Sequence, residues 1–185
     1  GLEAYLDELL TSAGGKHVLV EAARGLQSRT TADNDPHFWL DPTKVVTYVE
    51  NIRDALSTAD PDGSTTYKAN ADAYIAELNE LDAWIREQVA QIPPERRLLL
   101  TDHESLGYYA DRYGFRIVGS IAPSVSTEAS PSAEQLASLV DVIRQTGAPA
   151  VFLEMGANTQ LANQLAADTG VKVISGLYIA SIGAE

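Results

Sequence analysis

Apolar positions along the chain change rhythm twice, and the changes mark out three stretches. Leu2 to Leu10 recur at helical spacing and stop at Gly14-Gly15, a helix-stop signal. The run His17-Val18-Leu19-Val20-Glu21 predicts a short apolar strand. Gly25 to Asn34 is polar and irregular. Asp41 then stands as an N-cap with Pro42 at the first helical position. Val45, Val46, Val49, Ile52 and Leu56 share one face of the helix that follows, which ends near Asp60-Pro61-Asp62-Gly63. From Ser64 to Ile92 a single stripe (Tyr67, Ala71, Tyr74, Ile75, Leu78, Leu81, Ile85, Val89, Ile92) runs at three- and four-residue steps. It predicts one helix roughly 40 Å long at 1.5 Å per residue, stopped by Pro93-Pro94.

Beyond Pro94 strands and helices alternate. Leu98 to Leu100, Phe115 to Gly119, Val151 to Leu153 and Val171 to Ile174 are predicted strands. Helices are predicted over Asp102 to Tyr113, from Ser130-Pro131 to Gly147, and over Asn158 to Asp168. Wholly apolar strands in strand–helix–strand units predict an α/β fold whose parallel sheet is covered on both faces.

Composition narrows the chemistry. Hydrophobic residues make up 45% of the 185 residues, enough to bury a core. The net charge is −13, a surface that repels nucleic-acid backbones and anionic membranes, so no nucleic-acid partner is expected. Cysteine is absent, which removes disulfides, thiolate nucleophiles and Cys-based zinc sites together. A transition metal would need His, Asp and Glu, and the histidines are His17, His37 and His103. Both chain ends read as cuts, because the first residues are already in helical rhythm and Ile182-Gly183-Ala184-Glu185 forms no clear final element.

Ligands of open α/β sheets bind beyond the carboxyl ends of the strands. His103 is predicted there, directly after Leu98-Leu99-Leu100. His37 sits in an irregular segment held by the capped helix behind it. Each is either a metal ligand or an ordinary surface or capping residue, and spacing alone leaves both open. Glu104 has a simpler reading, because Thr101-x-x-Glu104 has the form of a capping box. His17 reads as structural or exposed. Glu154, ending a strand, reads equally as catalytic, as an acceptor behind a ligand, or as a loop-ordering residue.

Two longer motifs decide between these options. Asp35-Pro36-His37-Phe38-Trp39-Leu40-Asp41-Pro42 resembles the D-P-H-x-W-L-D-P motif of the zinc/manganese (cluster A-I) substrate-binding proteins of ABC importers. Thr101-Asp102-His103-Glu104-Ser105-Leu106-Gly107-Tyr108-Tyr109 resembles their T-x-H-x-x-F/L-G-Y-F motif. Val151 to Glu154 with Asn158 and Leu161, and Gly1-Leu2-Glu3, are similar to further family stretches in the same order. The resemblance implies two α/β lobes of parallel sheet flanked by helices, joined by one long rigid helix. Residues 1–63 would be the back half of the first lobe, 64–94 the connecting helix and 95–185 most of the second lobe.

It also implies a function. An extracytoplasmic receptor, at the periplasmic or outer face of the membrane, would capture a metal between its lobes and pass it to an ABC permease. His37 and His103 would be metal ligands, and His at both positions favours Zn2+ over the alternative Mn2+. A monomer, lipid-anchored in its full length, is expected. Two features depart from the family pattern. The family's first ligand histidine falls before Gly1, and Ala180 in Leu177-Tyr178-Ile179-Ala180-Ser181-Ile182-Gly183 stands where the family usually has a carboxylate. A shifted alignment would draw that carboxylate from Glu185 instead. The family's acidic, His-rich loop is not visible between Thr30 and Asp35. Two competing functions are a metal-dependent hydrolase, with Glu104 or Glu154 activating water, and a surface adhesin on the same scaffold.

Overall fold

Residues 5–15, 17–29, 34–122, 124 and 131–183 are described by a computed structural model of the chain. They fall into two compact units, Gly1–Trp84 and Ile85–Glu185.

In the first unit, α1 (Leu6–Ala13) ends at Gly14. Residues 1–4, which carry the Gly1-Leu2-Glu3 stretch, and 30–33 lie outside the described set. The strand expected over His17 to Glu21 does not form, and Val18 and Leu19 are 79% and 59% exposed. A strand persists only when its backbone groups are paired, and no strand is present among the described residues of this unit. Helix α2 (Pro42–Ala59) starts as predicted. Asp41 is extended, and its Oδ1 accepts from the Thr43 N–H at 3.0 Å and the Thr43 hydroxyl at 2.7 Å. The Asn51 side-chain amide donates to the carbonyls of Ala22 and Arg24, which fastens that loop to α2.

A one-turn 3-10 segment (Pro61–Gly63) then leads into α3 (Ser64–Ala90). The Tyr67 hydroxyl donates to Asp60 Oδ2 at 2.6 Å across this corner. The carboxylate disfavours ionisation of the phenol and raises the Tyr67 pKa. A Cβ on Gly63 would stand 2.5 Å from Asp60 Oδ2 and 2.7 Å from the Tyr67 ring, so the corner admits no side chain there without moving both. The 27 residues of α3 contain neither Pro nor Gly, the usual sources of a kink.

The second unit holds a four-stranded parallel sheet of β1 (Leu98–Thr101), β2 (Arg116–Ser120), β3 (Ala150–Glu154) and β4 (Lys172–Leu177), in the order β2-β1-β3-β4. All four residues of β1 are buried, as are Ala150, Val151 and Leu153 of β3, whereas the edge strands β2 and β4 are partly exposed. This is the burial expected of a sheet with both central faces covered. Helices α5 (Ala133–Thr146) and α6 (Gln160–Thr169) pack on each other, on β2 and on β4. Leu139, Ile143, Ala162 and Leu165 meet Leu100, Val151, Leu153 and Val171 in one core. Gly119 permits the close approach of α5, since a Cβ there would lie 2.6 Å from Leu139 Cδ1. Ser132 and Gln135 form a reciprocal capping box at the start of α5.

Between β1 and β2, α4 (Gly107–Tyr113) is shorter than the helix predicted from Asp102. Residues 102–106 instead form an irregular turn on top of the sheet. Tyr109 packs on Tyr113 and Phe115, with ring centroids 4.7 and 5.6 Å apart, and burial raises its phenol pKa.

Candidate metal-ligating residues

The chain order of the sheet creates a crevice. From β1 it goes outward to β2, then crosses back to β3 on the other side of β1. The two connections leave the carboxyl ends of β1 and β3 in opposite directions, which is where α/β sheets bind ligands. His103 follows β1 directly and is 4% exposed. Its N–H donates to Asp102 Oδ1 at 3.0 Å, and its Nδ1 lies 3.2 Å from the same oxygen. The second carboxylate oxygen, Asp102 Oδ2, accepts from the Glu154 N–H at 3.3 Å, which ties the end of β1 to the end of β3. Asp102, His103 and Glu154 thus bring their potential ligand atoms within 4.8 Å of one another. Burial alone would raise the Asp102 pKa, but the side-chain hydrogen bond and charge of His103, with the backbone N–H groups of Glu154 and His103, outweigh it. Its carboxyl is held below the usual range.

The Thr101–Glu104 capping box does not form. Thr101 is still in the sheet, and its hydroxyl donates to the His103 carbonyl at 2.7 Å rather than accepting from a helix N–H. The Glu104 N–H goes to the Ser124 carbonyl, and its side chain is exposed. The helix begins only at Gly107, so no helical N–H stands two or three residues after Thr101 for its hydroxyl to cap.

In the first unit, His37 is 3% exposed and precedes a single 3-10 turn, Phe38–Leu40. Asp35, 1% exposed, accepts from the His37 backbone N–H at 3.0 Å, and its Oδ1 is 2.8 Å from His37 Nδ1. The Asp35 N–H in turn donates to Ser28 Oγ at 3.0 Å, and the His37 ring lies 5.2 Å from the Trp39 ring. The same local device therefore serves both histidines. A carboxylate that accepts from Nδ1 orients the ring and favours the tautomer in which Nε2 would be the ligating nitrogen, as seen behind the histidines of metal sites.

Sequence reasoning picked out His37 and His103 but missed Asp35 and Asp102. For Asp35 a signal existed, because an Asp two residues before an N–H commonly folds back on it. Nothing in the sequence pairs Asp102 with Glu154, which are 52 positions apart and meet only through the strand order. His17 and Ala180 are exposed, and Glu185 lies outside the described residues.

Comparison with known proteins gives the chain's family. The chain is 35% identical over its whole length to the manganese-binding lipoprotein MntA of Halalkalibacterium halodurans. It is 36% identical over 82% of its length to the iron-binding protein YfeA of Yersinia pestis. It spans 62% and 48% of those two proteins. The crystal structure of the laminin-binding protein Lbp of Streptococcus pyogenes superposes on all of the chain and 70% of its own, with a TM-score of 0.87 and 26% identity. The chain has the α/β fold of these proteins, a parallel sheet flanked by helices. The family described as zinc-uptake complex component A, periplasmic, matches residues 1–185, and the chain belongs to that family.

Proposed function

We propose that the full-length protein is an extracytoplasmic receptor that captures a divalent transition metal, Zn2+ first and Mn2+ as the alternative, and delivers it to an ABC permease. His37 and His103 are metal ligands in this reading. The observation that carries it is the repeated pairing of a buried imidazole Nδ1 with an Asp carboxylate, Asp35 for His37 and Asp102 for His103. A carboxylate behind a buried imidazole is the arrangement that orients metal-ligating histidines, and here it occurs at both histidines the motifs single out. Imidazole ligands favour zinc, and carboxylates nearby extend the range toward manganese. The relatives named for manganese and for iron, within a family named for zinc, support this breadth. The family's description as periplasmic supports a position at the periplasmic or outer face of the membrane.

The family is one of uptake-complex components, which supports capture rather than catalysis. The hydrolase alternative, with Glu104 or Glu154 activating water, has less support: Glu104 is exposed and, among the described residues, bonded only through its backbone, which leaves Glu154 as its one candidate. Adhesion on the same scaffold draws support from the laminin-binding neighbour and is compatible with metal capture. Continuing this reading, residues 64–94 form a connecting helix between lobes 1–63 and 95–185. Metal-dependent uptake in cells that depend on this gene tests the function. Zinc or manganese accumulation should fall on deletion and return with the wild-type gene but not with a His103→Ala gene. Full restoration by the mutant would count against the reading.

A further inference from the structure

We propose that Glu154 is a metal ligand, supplying the anionic oxygen that the exposed Ala180 methyl after β4 cannot provide. The assignment rests on the reading of His103 as a ligand and adds a second residue to its site. Three observations support it. First, Glu154 ends β3 at the point where the sheet's connections diverge, on the strand that pairs with β1 at Thr101↔Phe152, so its side chain starts level with the Asp102–His103 turn. The β3–β4 register shifts between Phe152 and Glu154, the kind of irregularity that re-aims a side chain beside a functional site.

Second, the two neighbouring carboxylates are used differently. Asp102 is occupied on both oxygens, by His103 on Oδ1 and by the Glu154 N–H on Oδ2, so it acts as a positioning residue. The Glu154 carboxylate, by contrast, has no hydrogen bond or ion pair among the described residues, although it is half-buried and one of its oxygens lies within 4.8 Å of an Asp102 carboxylate oxygen and of a His103 ring nitrogen. Two carboxylates that close repel each other, and a half-buried one without a donor is costly. A divalent cation relieves both penalties. Third, His with Glu is a donor set suited to zinc and tolerant of manganese or iron.

The test uses the full-length protein stripped of metal and titrated with Zn2+ against a chromophoric chelator. The proteins compared are wild type, Glu154→Gln, Glu154→Asp and His103→Ala, with the melting temperature of each metal-free protein recorded alongside. Glu154→Gln should raise the Zn2+ Kd at least about tenfold, the lower bound for losing even an indirect partner of a metal, with little change in metal-free melting temperature. Glu154→Asp keeps the charge but shortens the reach by one methylene, and should also weaken binding. Wild-type affinity in either folded variant, with affinity lost in His103→Ala, would overturn the role of Glu154 and leave the receptor reading standing. Wild-type affinity in His103→Ala would overturn both.

Discussion

Asp35→Asn is the most informative single change in the first unit, because it keeps the shape of the side chain while removing its charge. Asp35 is 1% exposed and receives both the backbone N–H of His37 at 3.0 Å and its Nδ1 at 2.8 Å. Hydrogen bonds to a buried charged acceptor are each worth about 1.5–3 kcal/mol. Both bonds end on Oδ1, and an amide oxygen there can still accept both, so the metal-free protein loses the charge assistance of the two bonds, about 1–3 kcal/mol together, read by urea denaturation. The effect on metal is separate. With a neutral amide behind it, the ring keeps a Nδ1 acceptor but loses the negative charge that strengthens Nε2 as a ligand, and weakening such a partner lowers metal affinity about 10–100-fold, or about 1.4–2.8 kcal/mol. Calorimetric Zn2+ titration of wild type, Asp35→Asn, His37→Ala and the double variant measures it. If Asp35 acts through His37, adding Asp35→Asn to His37→Ala should cost almost nothing further, a strongly non-additive cycle. Wild-type affinity in Asp35→Asn, or losses that simply add, would refute the coupling.

Three further predictions concern stability and shape. Asp41→Ala removes the cap of α2, with both bonds from Thr43, and should lower unfolding free energy by about 1 kcal/mol in urea without altering Zn2+ affinity. Ser105 is fully buried and its hydroxyl finds no partner among the described residues, so Ser105→Ala should leave the melting temperature unchanged or higher, because it removes an unsatisfied polar group; a clear drop would mean the hydroxyl is in use. The Tyr67–Asp60 bond makes stability depend on pH at the alkaline end. The folded phenol titrates above its unfolded value of about 10, so the bond's contribution is full below that pH and is lost as pH rises through the folded value. The stability advantage of wild type over Tyr67→Phe should therefore be constant near neutrality and shrink in strongly alkaline urea titrations.

Local chemistry was legible wherever neighbours in sequence decide the structure. The Asp41-Pro42 start of α2, the unbroken stripe of α3 and the apolar runs of β1 and β3 all form near their expected places. The errors arise where a pattern needs a partner that sequence does not show. Val18 to Val20 has strand composition but no ladder to join among the described residues. Thr101-x-x-Glu104 has the spelling of a capping box, yet Thr101 is held in β1 by the sheet and the helix begins only at Gly107. Both histidines were visible through their motifs. Their Asp partners were not singled out, and the approach of Glu154 to His103 depends on β3 lying beside β1, a fact of topology rather than of local pattern.

Replacing the three histidines one at a time in the full-length protein, followed by calorimetric zinc titration, tests the central claim most directly. His37 and His103 are buried against Asp35 and Asp102, whereas His17 is exposed. His37→Ala and His103→Ala should each weaken Zn2+ binding strongly, and His17→Ala should titrate like wild type. Equal affinities in all three variants would contradict the assignment of His37 and His103 as the ligands.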